Sequence, residues 1–237
     1  MLGNLEETNT TTSPLLSAFN DDHIRNSSVD FDFICKTIIV GDSAVGKSSL
    51  YQRFSSDTFS DSHITTESVE FGFRFIDTLN SRCKVQVWDC VTSASKAIMN
   101  SVYKGSNAII LLYDVTNKDS FASIEDWLLE IRQYADNNAM VYIVGTKIDL
   151  SNRVVSQIQG ETLAEKLGVD YWELSSKTSE EVDGLFFKIV ANQQDNDASA
   201  LNSSIENSSR YASTLSASGI DVRASFAEKK EQSDSTF

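Results

Sequence analysis

The sequence predicts an α/β domain, a mostly parallel β-sheet with helices on both faces. Three observations carry that prediction. Apolar strand-like runs alternate with helical patterns through the middle of the chain. Two of those runs, "NAIILLYDV" and "MVYIVGTKID", are continuously apolar, as strands covered on both faces are. The first strand ends in a glycine-rich turn that opens directly into a helical pattern.

In chain order, "FICKTIIVGD" is a β-branched run suited to a buried strand, and "VGKSSLYQRF" has a helical pattern. "SVEFGFRFID" and "CKVQVWDC" alternate with period two and predict neighbouring strands. Between the two long apolar runs lies "DSFASIEDWLLEIRQYA". There Phe121, Ile124, Leu128, Ile131 and Ala135 recur at spacings of three and four, which places them on one helix face. "SQIQGETLAEKLG" predicts a further helix ended by Gly168. A last helix near "TSEEVDGLFFKIV" is predicted to start with a Thr178 to Glu181 capping box and to bury Val182, Leu185, Phe186 and Ile189.

Composition divides the 237 residues into three zones. Residues 1–30 and 193–237 are rich in Ser, Thr, Asn and Asp and are expected to be disordered arms. Residues 31–192 form the expected domain. With 41% hydrophobic and 10% aromatic residues the chain can bury a real core. A formal charge of −14 argues against nucleic acid and against adsorption to anionic lipid, both of which need clustered Lys and Arg. Cys35, Cys83 and Cys90 lie in or beside strand-like runs without CxxC spacing and read as buried reduced thiols. The acidic N-terminus lacks the apolar region of a signal peptide, and Gly3 falls one place late for myristoylation.

The first strand closes on "GDSAVGKS", which fits G-x-x-x-x-G-K-[ST] with a strand before and a helix after. Gly41 and Gly46 let the backbone curl, so that the N–H groups of Asp42, Ser43, Ala44 and Val45 and of the following Lys47, Ser48 and Ser49 turn toward phosphate oxygens. The helix N-terminus adds its positive dipole end. Lys47 supplies a cation for the outer phosphates, and the Ser48 hydroxyl is a ligand for Mg²⁺. The motif predicts a P-loop.

Two later strands close on "GTKIDL" and "ELSSKT". With "LLYDVTNKDSF" and "DWLLEI" these stand in the order and spacing of one family, and residues 31–192 resemble a Ras-superfamily small GTPase, nearest the Rab branch. The resemblance implies a small G domain that binds GTP or GDP with Mg²⁺. It implies that Asp149 accepts from the guanine N1–H and exocyclic amine, that Lys147 lays its stem against the ring, and that Ser175, Ser176 and Lys177 line the base. Phe59 stands where the family places an aromatic against the base edge. Thr146 replaces the usual Asn of N-K-x-D, as in active relatives of the Rho branch.

The resemblance also marks the switches. In "HITTESVEF" the Mg²⁺-contacting threonine is Thr66, with Thr65 one register away, while Glu67 and Ser68 replace an apolar residue and a glycine. Asp89 matches the aspartate that holds Mg²⁺ through water. The family then runs D-T-A-G-Q-E, whereas this chain runs Asp89, Cys90, Val91, Thr92, Ser93, Ala94. Thr92 stands for the glycine that meets the γ-phosphate, and Ser93 for the glutamine that orients the attacking water. Two expectations follow: a Rab-like GTPase of slow turnover, or a module of the same fold that holds nucleotide as a structural ligand. The implied partners are guanine nucleotide, effectors and exchange factors at the switches. With no cysteine after Cys90, the expected place is the cytoplasm, with endomembranes reached only through protein partners.

Overall fold

The computed structural model describes residues 30–61, 69–90 and 96–217, with side chains from Met99 to Glu206 in the last of these. Thr66, Thr92 and Ser93, with their neighbours in both switches, lie outside the described residues. Six strands form one sheet: β1 (Phe33–Gly41), β2 (Glu70–Asp77), β3 (Arg82–Asp89), β4 (Ala108–Asp114), β5 (Met140–Thr146) and β6 (Asp170–Leu174). Their spatial order is β2-β3-β1-β4-β5-β6; β2 runs antiparallel to β3 and every other pairing is parallel. The helices are α1 (Lys47–Ser56), α2 (Lys96–Tyr103), α3 (Lys118–Ala122), α4 (Ile124–Tyr134), α5 (Gln157–Leu167) and α6 (Val182–Ala217).

The continuous apolar runs find their cause in the layering. Along β4, Ala108, Ile110 and Leu112 face a core with Leu50 and Phe54 of α1 and Leu185, Phe186 and Ile189 of α6. Ile109, Leu111 and Tyr113 face the opposite core with Met99 and Tyr103 of α2, Leu128 and Ile131 of α4, and Ala164 of α5. A strand with helices on both sides cannot alternate with polar residues. Phe54 and Phe186 stack at 3.8 Å between centroids and join α1 to α6 across the first core.

Several expectations need correction. The two period-two runs do form the neighbouring strands β2 and β3, but the alternation in "CKVQVWDC" does not mark an exposed face, since residues 83–89 are all buried. Lys84 survives burial by setting its ammonium 4.2 Å from the Phe73 ring centroid and 5.5 Å from that of Phe31. The expected single helix over residues 121–135 is two, α3 and α4, meeting at Ser123; Ile124, Leu128 and Ile131 keep the buried face.

The capping box does not form the start of the last helix. Ser179 and Glu181 sit at φ 65° and 60°, and the Ser175 N–H donates to the Glu180 carbonyl, so the helix begins only at Val182. The chain also does not leave the helix at 192: α6 continues through Ala217. Beyond Gln194 its described side chains are exposed; Asp197 accepts from Gln193, and Ser199 donates to the Asp195 carbonyl. Helix α2 has no counterpart among the sequence expectations. Gly168 ends α5 at φ 68°, as its position predicts.

Candidate functional site

The carboxyl ends of β1, β3, β4, β5 and β6 meet at one rim, where a parallel sheet places its ligands. Between β1 and α1, residues 41–48 form a curled loop. Gly41 adopts φ 137°, and a Cβ there would collide with the Leu112 carbonyl oxygen, so no other residue fits. Gly46, at φ 100°, caps α1. Side-chain donors hold the loop carbonyls: Lys47 Nζ donates to Gly41 O at 2.9 Å and Asp42 O at 2.6 Å, and Lys147 Nζ to Ala44 O at 2.8 Å. Thr146 Oγ1 donates to Val45 O at 2.6 Å. With the carbonyls engaged, the N–H groups of Ser43, Ala44, Val45 and Gly46 have no partner among the described residues. Open N–H groups beside a helix N-terminus and a buried ammonium fit a polyphosphate.

Asp89 closes β3 next to this loop. It is 0% exposed, and neither carboxylate oxygen meets a partner at ordinary hydrogen-bond geometry. Burial pushes its pKa up to about 6; the nearby Ser48 hydroxyl and Lys47 ammonium pull it down, and Glu70 pushes it up. Burial likewise lowers the Lys47 pKa, against the opposing pull of Asp89 and Asp42. An unsatisfied buried carboxylate beside a serine hydroxyl fits a hard divalent cation, so Asp89 and Ser48 suit Mg²⁺. Thr66, the third expected ligand, lies outside the described residues.

The base end is built from the β5 and β6 termini. Thr146 is buried, and its Oγ1 reaches Tyr113 O at 3.0 Å as well as Val45 O, so one hydroxyl ties β4, β5 and the phosphate loop together. That is the local bonding that a threonine in place of asparagine allows. Lys147 takes φ 63° and pairs with Asp114 at 2.7 Å. Burial pushes the Asp114 pKa up, but its bonds to Lys147 and Thr116 together outweigh that and hold it below the ordinary carboxylate value. Asp149 accepts from Ser175 Oγ at 2.6 Å through one oxygen. Lys177 pairs with Asp61 at 3.1 Å and lies 5.9 Å from the Phe59 centroid, so both expected flanking residues close one side of the site. Ser176 is fixed through its carbonyl, which accepts from Arg53 Nε at 2.8 Å.

Three contributors have no role assigned in the sequence. Asp114 anchors Lys147, and its signal is a carboxylate closing an apolar strand. Arg53 reaches from α1 to the Ser176 and Lys177 carbonyls. Trp127 donates from Nε1 to Asp42 Oδ1 at 2.8 Å and braces the phosphate loop from α4. Of the expected residues, 41–49, Phe59, Asp89, Thr146, Lys147, Asp149 and residues 175–177 gather at this rim. The three thiols are free and buried, and burial pushes Cys35 up to about 11 and Cys83 and Cys90 up to about 12.

This sheet order, with the loop at the end of β1 and a lysine–aspartate strand end beside it, defines a P-loop small G domain. Comparison with known proteins is more specific. The Ras family model matches residues 36–195, and the chain belongs to the Ras family, on its Rab branch. It is similar to Ras-related protein SEC4 of Candida albicans, 39% identical over 198 residues, covering 83% of this chain and 91% of the relative. GTP-binding protein ypt2 of Schizosaccharomyces pombe is 40% identical over 166 residues, 69% of this chain and 83% of the relative. Ras-related protein RABE1d of Arabidopsis thaliana is 39% identical over 164 residues, 68% and 76% respectively.

Proposed function

We propose that this chain binds GTP and GDP with Mg²⁺ at the rim described above and hydrolyses GTP slowly at best. The observation that carries the proposal is the row of open N–H groups at residues 43–46, flanked by the Lys47 ammonium and the unsatisfied Asp89 carboxylate. Lys47, anchored to two loop carbonyls, sets its positive charge beside the phosphate oxygens. Ser48, Asp89 and Thr66 would hold Mg²⁺, which offsets charge on the outer phosphates. The Asp149 carboxylate, held by Ser175 through one oxygen, accepts from the guanine N1–H and amine, while the Ser176 N–H faces O6. A base without that amine leaves the carboxylate short of a donor, which is how such a site rejects adenine.

Slow turnover follows from Thr92 and Ser93. Threonine tolerates a close approach to phosphate less well than glycine, and Ser93 is too short to orient the water a glutamine would reach. Activated hydrolysis in this family depends on that glutamine and on a partner's arginine, worth roughly 10³–10⁵ in rate. The same two residues favour a second reading, a nucleotide-bound interaction module without a timed cycle. In either case partners dock at the switches and on the adjoining strands, where Phe71 and Phe73 are 39% and 43% exposed and Phe71 lies 4.6 Å from Trp88 between centroids. Membership of the Rab branch favours work in vesicle traffic or signalling, in the cytoplasm and at endomembranes through protein partners. No helix among the described residues is long and apolar enough to cross a membrane.

Single-turnover hydrolysis of GTP loaded on the purified chain separates the readings. The expected outcome is GTP that persists for hours, with activity recovered by Thr92→Gly plus Ser93→Gln. Turnover at rates usual for the family removes the claim that these residues disable chemistry. Failure to bind any guanine nucleotide removes both readings.

A further inference from the structure

Behind the base end lies a chain of polar side chains to which the phosphate and base motifs assign no role, although Glu173 opens "ELSSKT". Arg153, in the loop between β5 and α5, grips Glu173 of β6 with two parallel bonds, NH1 to Oε1 at 2.7 Å and NH2 to Oε2 at 2.8 Å. Tyr171 OH donates to Glu173 Oε1 at 2.6 Å, and the Tyr113 and Tyr171 hydroxyls lie 2.9 Å apart. Burial raises the Tyr171 pKa far above the usual phenol value, as do Glu173 and Tyr113, so Tyr171 keeps its proton. That single proton goes to Glu173, and Tyr113 must then donate to Tyr171. The chain therefore has one consistent direction, from Tyr113 through Tyr171 to the carboxylate.

The surroundings are shaped for these two phenols. Gly145 leaves room for Tyr113, since a Cβ there would sit 2.9 Å from its hydroxyl. Gly160 lies inside α5, where glycine costs helix stability; a Cβ there would collide with the Tyr171 ring and hydroxyl. Both glycines clear space at the same buried pair.

Glu173 stands two residues before Ser175, and Arg153 four residues after Asp149. The Arg153–Glu173 fork and the Ser175–Asp149 bond are thus two rungs between the same two segments. The inner rung holds the carboxylate oriented toward the base, and the outer rung is stiff, bidentate and half-buried. We infer that Tyr171, Glu173 and Arg153 are positioning residues that set guanine selectivity by fixing the angle at which Asp149 meets the base.

The inference rests on the guanine-site reading, and the test separates the two. GDP and IDP, which differ by the exocyclic amine that Asp149 would accept from, are titrated on the full chain and on Glu173→Gln, Arg153→Met and Tyr171→Phe. The unaltered chain should prefer GDP by about tenfold or more. Glu173→Gln and Arg153→Met should cut that preference to about two- to threefold, and Tyr171→Phe should halve it, with IDP affinity nearly unchanged. Tyr171→Phe keeps the ring and its packing, so it carries the test if a charge variant fails to fold. Equal weakening of GDP and IDP, or an unchanged ratio, overturns the inference, because a scaffold role lowers Tm without touching the ratio. An unaltered chain that binds neither nucleotide overturns the guanine reading itself, and this inference with it.

Discussion

At the phosphate end of the rim, Asp89 is buried with both oxygens unsatisfied, and four successive loop N–H groups lack partners among the described residues. Across the rim, every carboxylate of the base end is already engaged. Asp114 holds Lys147 and Thr116, Asp149 holds Ser175, and Glu173 holds Arg153 and Tyr171. One end is left short of counter-charge and donors' partners, while the other is assembled before anything arrives. Preorganisation suits the end that must discriminate between bases, because a carboxylate that wanders discriminates poorly. On the proposed function, a polyanion and a cation would supply what the open end leaves out.

Breaking the open end at its cation should have the largest effect. Lys47→Ala removes the buried ammonium that both closes the loop and faces the phosphates, and should weaken guanine nucleotide by at least about 100-fold in a binding titration. Asp89→Asn comes next and works in two directions. Without nucleotide it relieves a buried charge and should stabilise the fold by about 1–2 kcal/mol at pH 7. With nucleotide it should abolish the gain in affinity that Mg²⁺ provides. Because the folded pKa of Asp89 is raised, the unaltered protein bears no penalty below about pH 4, and the penalty grows until about pH 6. Denaturant midpoints of the variant and the parent, taken without nucleotide, should therefore converge at pH 4 and separate by pH 6.

Asp114→Asn probes the assembled end and should show the opposite sign, a loss of about 1–3 kcal/mol at pH 7, as Lys147 loses its partner. The Asp114 pKa is depressed, so its contribution is complete above the unfolded value near 3.9 and is lost as the pH falls through the lower folded value. Parent and variant melts should approach each other only in that acid range. Lys177→Ala should have the smallest effect, less than about 0.5 kcal/mol in a melt, because its pair with Asp61 is exposed.

Legibility in the sequence follows the range of the interactions. The phosphate loop is readable because its motif is contiguous within residues 41–48, and the apolar strands because burial on two faces leaves a continuous run. The switch from alternation to full burial at Lys84 is not readable, since it depends on Phe31 and Phe73 from other segments. Trp127 and Asp42 are 85 residues apart, and nothing local marks either as the other's partner. The Thr178 to Glu181 pattern matches a helix start, yet the bond from Ser175 N–H to Glu180 O draws the chain into a turn that local spacing does not encode. The tail beyond 192 reads as unstructured because its Ser and Asn content suits solvent, and a solvent-exposed helix carries no apolar stripe to announce itself.

The side-chain amide of Gln194 in α6 reaches Thr78 and Ser81 in the turn between β2 and β3. From there the helix runs 23 more residues to Ala217, about 35 Å at 1.5 Å per residue. A flexible tether of that many residues would let its far end wander over a hemisphere, with a mean reach of about 25 Å. A rod of the same length instead fixes both distance and bearing, so anything joined at its tip is presented from one direction.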